Sequence, residues 1–190
     1  MIDPDLLLRA YCAGVFPMAD SADGEIYWVE PKRRGVLPLD GFHRSHSLAR
    51  LIRRGVFNVV FDADFKGVMR ACAERDETWI SGEIIDSYAA LFDLGYAHSV
   101  ECRDSDGELQ GGLYGVCIGG AFFGESMFHR KTDASKVALS ALVDRLNAGG
   151  FTLLDTQFLT PHLASLGGVE IPQKEYMTLL RRALSADASF

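Results

Sequence analysis

Hydrophobic and polar positions predict a regular succession of strands and helices in the last three quarters of the chain. Residues 56–62 alternate between apolar and polar side chains, as a strand with one buried face does. Two helices and three more strands follow, the last strand covering residues 121–129, and a long helix covers 133–150. A strand over 151–158, a short helix and a closing helix over 172–186 complete the order. This order predicts an α+β domain with a mixed sheet.

The first quarter of the chain has a less regular pattern. It predicts a helix over residues 4–13, a loop over 14–24, a strand near Trp28, a strand in the segment GVLPL and a helix over 45–54. We therefore expect a small mixed N-terminal lobe in residues 1–54, followed by a second domain in residues 55–190.

Glycines are frequent in residues 111–124, but their spacing does not match the dinucleotide-binding pattern G-x-G-x-x-G. The order of elements in the second domain resembles the acyltransferase fold called GNAT. Acetyltransferases of that fold hold a pyrophosphate with a glycine-rich turn that this sequence lacks. We therefore expect a GNAT-like domain that uses neither coenzyme A nor another cofactor.

The composition excludes several other classes of protein. The chain has 190 residues, 48% of them apolar, so it can bury a substantial core without disulfide or metal support. It has no run of 18 apolar residues and no basic start of a signal peptide, so we expect a cytoplasmic protein without membrane contact. No C-x-x-C pair or H-E-x-x-H pattern is present, and a metal site is not expected. The cysteines are expected to be reduced and packed: Cys12, Cys72, Cys102 and Cys117.

The net charge of −7 argues against nonspecific binding of nucleic acid. The segment from residue 32 to residue 54 differs from the rest of the chain. It contains seven basic residues and one acidic residue, Asp40, and therefore has a charge of +6. It is either a solvated helix face with a charged turn or a local phosphate-binding face. The basic residues of this segment are Lys32, Arg33, Arg34, Arg44, Arg50, Arg53 and Arg54.

Three polar residues stand out in the predicted strands of the second domain. Glu125 lies in an apolar strand, where a carboxylate is unfavourable unless it is paired or functional, although it could also lie on a solvated face. Asp155 and Gln157 are two positions apart in a strand, so they share a face. They could hold an ammonium and a carbonyl together, or they could be strand-end turn residues.

The aromatic residues divide into two groups. Most of them, including Tyr11 and Tyr88, are expected in the core. Trp79 differs because it lies in a loop before a helix, a position from which an aromatic ring can stack on a base.

Segments in order along nearly the whole chain resemble the leucyl/phenylalanyl-tRNA–protein transferase family. The most specific are GESMF, the helix start ASK-x-AL, and D-x-Q-x-L followed by H-x-ASLG. The resemblance implies a small N-terminal lobe on a GNAT-like domain. It also implies transfer of Leu or Phe, with Met as a further donor, from aminoacyl-tRNA to the N-terminal Lys or Arg of a protein. This transfer would mark the acceptor for degradation, and we expect the enzyme to be a monomer.

The resemblance also implies roles for single residues. Asp155 and Gln157 match the catalytic pair of the family, and Glu125 matches its active-site glutamate. Trp79 matches an aromatic residue that binds the 3′-terminal adenosine. Met18 departs from the family, since it replaces a tryptophan expected to stack on that adenosine.

The pocket for the transferred side chain is implied by further matches. Leu142 departs from the family there, because some members carry Phe at this position. A regular strand would not bring the implied pocket and the implied catalytic residues to the same face. In such a strand Leu154 points away from Asp155, and Phe122 points away from Glu125. A bulge or splayed strands would resolve the conflict. The implied pocket residues are Leu113, Phe122, Met127, Leu139, Leu142 and Leu154.

The implied chemistry requires little from the protein. An aminoacyl-tRNA is an activated ester, so neither a Ser or Cys nucleophile nor a metal is needed. The α-amine of the acceptor has a pKa of about 8 and must lose a proton before it attacks. We expect Asp155 to hold the amine and help relay this proton, and Gln157 to orient the reacting groups. Two alternatives are a related transferase with other donors or acidic acceptors, and a noncatalytic module that binds tRNA or a degron.

Overall fold

The computed structural model describes residues 1–21, 24–75 and 78–190. The α-helices in these residues are α1 (Pro4–Cys12), α2 (His46–Arg53), α3 (Phe65–Ala73), α4 (Gly82–Asp93), α5 (Ala134–Ala148), α6 (Pro161–Ser165) and α7 (Gln173–Leu184). The strands are β1 (Phe16–Ala19), β2 (Ile26–Val29), β3 (Arg33–Val36), β4 (Asn58–Phe61), β5 (Ala97–Arg103), β6 (Leu109–Ile118), β7 (Ala121–His129), β8 (Leu153–Gln157) and β9 (Val169–Pro172). None of the described helices has the length and apolar character that a membrane span needs.

Polar caps fix where several helices begin. The side chains of Asp3, Ser45, Ser81 and Thr160 each accept a hydrogen bond from the main-chain N–H three residues further on. Each cap therefore satisfies one of the N–H groups that have no partner within the first turn of a helix.

Seven strands form one mixed sheet in the order β4-β5-β6-β7-β8-β3-β9, and β1 and β2 form a separate hairpin. All neighbouring strands are antiparallel except β7 and β8. These two run parallel for three residue pairs, from Ala121–Leu153 to Phe123–Asp155. No β7–β8 pair follows within the described residues, so a gap opens in the middle of the sheet.

Helices cover both faces of the large sheet. One apolar cluster packs α1, α3, α4 and α7 against one face, here called the α4 face. A second cluster packs α2 and α5 against the other, here called the α5 face. Adjacent residues of β7 point to opposite faces, as strand geometry requires: Phe123 is buried on the α4 face and Phe122 on the α5 face.

A β-bulge interrupts β7 beside the gap. Tyr114 of β6 pairs with Ser126, and Gly115 pairs with Gly124, so Glu125 is an extra residue without a partner on β6. Such a bulge bends the strand and changes which residues share a face.

A second irregularity lies on β8, opposite β3. Gly35 pairs with Gln157 and Val36 with Asp155, which leaves Thr156 as the extra residue. Gln157 has a φ of 63°, in the left-handed region. A Cβ atom at Gly35 would lie 2.6 Å from the main-chain carbonyl carbon of Phe158, so only glycine allows the two chain segments to approach this closely.

The strands and helices predicted after residue 55 are confirmed, with small shifts of their ends. Earlier in the chain the prediction is wrong in two places. The predicted loop over 14–24 contains β1, and β3 begins at Arg33, before the segment GVLPL. Strand β9 was not predicted. Because β3 pairs with β8 and β9, the large sheet includes one strand from residues 1–54, the segment expected to form a lobe.

Candidate active site

A pocket of about 280 Å³ opens where β7 and β8 separate. Apolar side chains form most of its wall, and Glu125 lies in the same wall. The pocket can therefore bury an apolar group while it keeps a polar group close to a carboxylate. The apolar wall includes Leu113, Met127, Leu139, Leu142, Leu154 and Leu163.

Five of the six residues predicted to line a side-chain pocket lie in this wall. The bulge at Glu125 is one reason, because it places Met127 on the α5 face together with Leu113. Phe122, the sixth, does not lie in this wall. Phe122 belongs to the still-paired part of β7, and its ring stacks on Phe190 at a centroid distance of 5.7 Å, in the core beside the pocket.

Glu125 is a buried carboxylate surrounded by hydrogen-bond donors, so it does not lie on a solvated strand face. Tyr11 donates to Oε1 at 2.6 Å, Gln157 Nε2 donates to Oε1 at 3.0 Å, and Tyr88 donates to Oε2 at 3.2 Å. Burial raises the pKa of Glu125 from 4.5 to about 7 although these hydrogen bonds favour the charged form. Near neutral pH the group can therefore both accept and release a proton.

Asp155 is fully buried and its oxygens are occupied by protein donors. Arg34 donates to both oxygens, with its shortest contact from Nη2 to Oδ2 at 2.7 Å. Tyr176 donates to Oδ2 at 2.7 Å, and the main-chain N–H of Gln157 donates to Oδ1 at 2.8 Å. Asp155 does not line the pocket. Its carboxylate instead fixes the main chain of Gln157.

Gln157 joins these two groups. Its main chain is held by Asp155, and its side chain donates to Glu125. The structure thus brings together the three residues proposed from the sequence: Asp155 bonds to Gln157, and Gln157 bonds to Glu125. The sequence did not indicate that Gln157 lies between the two carboxylates. The expectation that Asp155 holds the amine directly conflicts with the saturation of its oxygens.

Arg34 is buried, although it was expected among the phosphate-binding residues. Its side chain is 1% exposed, and besides Asp155 it bonds to the carbonyl oxygen of Gly14 at 2.8 Å. Phe16 and Tyr176 stack on its guanidinium at 4.7 and 4.5 Å. Charged residues that lie close together in a sequence usually face the solvent. Arg34 is a core residue instead, because it forms an ion pair with Asp155 of β8.

The other basic residues of the segment lie in two places. Lys32 and Arg33 precede or begin β3, and Arg33 pairs with Glu170. The remainder belong to α2 and its flanks. Of these, Arg44 pairs with Asp144 of α5, whereas the following are exposed and form no salt bridge within the described residues: Arg50, Arg53 and Arg54.

The two residues expected near the adenosine are both partly buried. Trp79 lies in the loop before α4, and Met18 lies in β1 opposite Tyr27. Both pack against the apolar cluster of the α4 face. Tyr27 and Trp28, on the neighbouring strand, are 40% and 41% exposed.

Sequence reasoning missed several site residues. Tyr11 and Tyr88 were assigned to the core, and they are core residues, but their hydroxyls also hold Glu125. Arg75 and His162 line the pocket and had no distinguishing pattern in the sequence. Burial and Lys136 lower the pKa of His162, which favours its neutral form. Among the described residues no group of three or more His, Cys, Asp or Glu side chains could hold a metal ion.

The fold is similar to those of two solved structures. The crystal structure of FemX matches with a TM-score of 0.60 and 12% identity, covering 88% of this chain and 66% of the FemX chain. L-PGS from Bacillus licheniformis matches with a TM-score of 0.50 and 11% identity, covering 80% of this chain and 65% of that chain. At such low identity these similarities establish the fold alone.

Comparison of sequences is more specific. A family model described as leucyl/phenylalanyl-tRNA protein transferase matches residues 36–181, and the model of its N-terminal domain matches residues 1–32. Leucyl/phenylalanyl-tRNA–protein transferase of Cereibacter sphaeroides ATCC 17025 is 61% identical over this whole chain and 88% of its own length. Its counterpart in Ruegeria sp. TM1040 is 58% identical over the whole chain and 90% of its own length. The chain belongs to the leucyl/phenylalanyl-tRNA protein transferase family and is an aminoacyltransferase.

Proposed function

We propose that this protein transfers Leu or Phe from aminoacyl-tRNA to the N-terminal Lys or Arg of acceptor proteins, and thereby marks them for degradation. The observation that carries the proposal is the pocket between the separated strands, in which an apolar wall meets the buried carboxylate of Glu125. In this proposal the pocket holds the side chain of the transferred amino acid. An unpaired charge would be expensive to bury there, so charged side chains are excluded.

The reaction forms one bond and breaks another at the ester carbonyl carbon. The neutral α-amine of the acceptor attacks this carbon, the C–N bond forms, and the bond to the ribose 3′-oxygen breaks. The amine loses a proton and the leaving 3′-oxygen gains one. Holding the two substrates in the right orientation supplies much of the acceleration.

Glu125 is the group best placed to accept the proton of the amine. It lies in the pocket wall, and its pKa of about 7 is near the value of about 8 of an α-amine, which suits proton exchange near neutral pH. Gln157 then orients Glu125 through the bond between their side chains. Asp155 acts as a positioning residue, because it holds Gln157 and has no free oxygen for the amine.

The basic residues of α2 are proposed to hold the tRNA. Arg50, Arg53 and Arg54 are exposed on or next to one short helix, where they can contact the phosphates of an acceptor stem. Lys32 and Arg33 are further candidates on a different part of the surface, while Arg34 is excluded by its burial. We propose that the enzyme acts as a monomer.

A transfer assay tests the proposed function. The purified chain is mixed with tRNA carrying labelled Phe or Leu and with peptides that differ only in their first residue: Arg, Lys or Asp. Labelled product with Arg and Lys peptides, and none with the Asp peptide, is expected. Product with the Asp peptide alone would assign a different acceptor class. Binding of tRNA without product for any peptide would mean that the protein is a noncatalytic module.

A further inference from the structure

Arg75 is a cation in the wall of the pocket. Among the described residues that line the pocket, Arg75 is the only lysine or arginine, and Glu125 is the only carboxylate. His162 also lines the pocket, but its lowered pKa favours the neutral form. Arg75 is exposed whereas Glu125 is buried, so a ligand that lies at the opening of the pocket can reach the guanidinium.

Two hydrogen bonds fix the position of this guanidinium. Nε donates to the carbonyl oxygen of Cys72 at 2.8 Å, and Nη2 donates to Ser126 Oγ at 2.8 Å. Ser126 itself lines the pocket, next to Glu125 on β7. Both partners are uncharged, so they hold the guanidinium without neutralising it. A guanidinium held in this way suits a phosphate group, because its remaining N–H groups can donate to the phosphate oxygens.

The aminoacyl-tRNA carries a phosphate close to the ester that reacts. In the proposed function the pocket holds the transferred side chain, so the ester and the ribose that bears it lie at the opening of the pocket. The 5′-oxygen of that same ribose carries the phosphate of the terminal nucleotide. Phosphate contacts position a nucleic acid on a protein without reading its sequence. One such contact at the opening would therefore fix the place of the ester.

We propose that Arg75 binds the 5′-phosphate of the terminal nucleotide of aminoacyl-tRNA and thereby places the ester beside Glu125. This inference rests on the proposed function. Arg75 has a binding role in it, because its guanidinium exchanges no proton while the C–N bond forms and the ester C–O bond breaks. The contact is separate from those proposed for the acceptor stem on α2.

Two small compounds that differ only in this phosphate test the inference. One is adenosine that carries Phe on its 3′-position through a stable amide in place of the ester, and the other is its 5′-monophosphate. Each compound competes with labelled Phe-tRNA for binding, and its inhibition constant is measured for the wild type, Arg75→Gln and Arg70→Gln. Arg70→Gln is the matched control, because Arg70 is exposed on the same α3 helix that precedes Arg75 and does not line the pocket.

We expect the wild type and Arg70→Gln to bind the phosphorylated compound about ten- to a hundredfold more tightly than the other, as one hydrogen bond between charged groups allows. In Arg75→Gln the two inhibition constants should be equal. The ratio of the constants stays informative if the substitution disturbs the pocket, because a general disturbance weakens the binding of both compounds alike.

The possible results separate the inference from the proposed function. If Arg75→Gln keeps the ratio of the wild type, or if the wild type binds both compounds equally, the inference is wrong and the proposed function stands. Loss of the ratio in Arg70→Gln as well would also contradict the inference, since the preference would then depend on general surface charge. A wild type that shows the expected ratios but no transfer from Phe-tRNA would overturn the proposed function and leave Arg75 as a phosphate-binding residue. Failure of both compounds to compete with Phe-tRNA would overturn the inference and the proposed use of the pocket together.

Discussion

Gln157 Nε2 donates a hydrogen bond to Glu125 Oε1 over 3.0 Å, and this bond crosses the gap that opens where β7 and β8 separate. A side-chain contact thus spans the gap just beyond the last main-chain pair of the two strands. Both residues occupy irregular backbone, since Glu125 is a bulge residue and Gln157 has a φ of 63°. The local irregularities bring the two side chains together at the pocket.

Gln157→Ala should slow transfer strongly and leave the protein folded. The substitution removes the side-chain amide that orients Glu125 but keeps the main-chain N–H that bonds to Asp155. Rates with saturating tRNA and peptide, together with circular dichroism, measure both effects. Gln173→Ala is the control and should keep full activity, because this half-buried glutamine at the start of α7 bonds to Glu30 and not to Glu125. Full activity of Gln157→Ala would remove Gln157 from the proposed machinery.

Asp155→Asn should destabilise the fold as well as impair transfer. The change leaves the guanidinium of Arg34 buried without its counter-charge, and breaking a buried pair in this way costs about 3–5 kcal/mol. Urea denaturation measures the loss in the free energy of unfolding. Glu170→Gln is the matched control, because its partner Arg33 is 56% exposed and such surface pairs contribute no more than about 1 kcal/mol. Equal losses in the two variants would contradict the importance of burial.

The stability of the wild type should depend on the titration of Glu125. Its pKa is about 7 in the folded protein and near 4.5 when unfolded, so the folded state retains a proton that the unfolded state has lost between these values. The free energy of unfolding therefore falls as the pH rises from about 4.5 through about 7. In Glu125→Gln this dependence is absent.

Denaturation of the wild type and of Glu125→Gln at several pH values from 5 to 8 measures this difference. The wild type should become less stable relative to the variant as the pH rises. Glu175→Gln, at an exposed glutamate on α7, should follow the wild type. Parallel curves for the wild type and Glu125→Gln would mean that Glu125 has no raised pKa.

Leu142→Phe should shift donor preference from Phe toward Leu. Leu142 lies on α5 in the pocket wall, and a larger ring there reduces the space for a Phe side chain. Such changes in apolar pockets are worth about 1–3 kcal/mol, so we expect a shift of about tenfold in the ratio of the two products. Competition between Phe-tRNA and Leu-tRNA measures that ratio.

Leu146→Phe is the matched control for the pocket experiment. Leu146 is also buried on α5, one turn later, and does not line the pocket. The same substitution there should leave the product ratio unchanged. If Leu142→Phe leaves the ratio unchanged too, the pocket does not hold the transferred side chain.

Replacing Arg50, Arg53 and Arg54 by Gln should weaken tRNA binding and reduce its dependence on salt. Each lost phosphate contact lowers the slope of log K against log salt by up to about 0.9, because fewer counterions are released. Titrations at several salt concentrations measure the slope. Substitution of Arg181 and Arg182, exposed on α7, is the control and should leave the slope unchanged. An unchanged slope in the α2 variant would mean that this helix is a solvated face.

Sequence periodicity predicted the elements with strong patterns and failed for the short strands. The nine residues of β7 combine apolar runs with a clear turn on each side, so their boundaries were predictable. Strands β3 and β9 have four residues each, include charged side chains, and exist because they pair with one another and with β8. Pairing between distant segments leaves no local pattern in the sequence.

The site was predictable in its members but not in its contacts. Glu125 could be singled out from the sequence, because a carboxylate in an apolar strand is unfavourable unless it is paired or functional. The burial of Arg34 could not be predicted, since its partner Asp155 lies 121 residues away along the chain.

The large sheet is joined at its centre by a short seam. Four strands, β4 to β7, lie on one side and three strands, β8, β3 and β9, on the other. In the described part of the chain, three main-chain residue pairs connect β7 to β8. Side chains from both halves of the sheet therefore meet in the pocket wall, as Glu125 of β7 and Leu154 of β8 do. Beyond the last main-chain pair, the bond between Gln157 and Glu125 is a side-chain connection between the two halves.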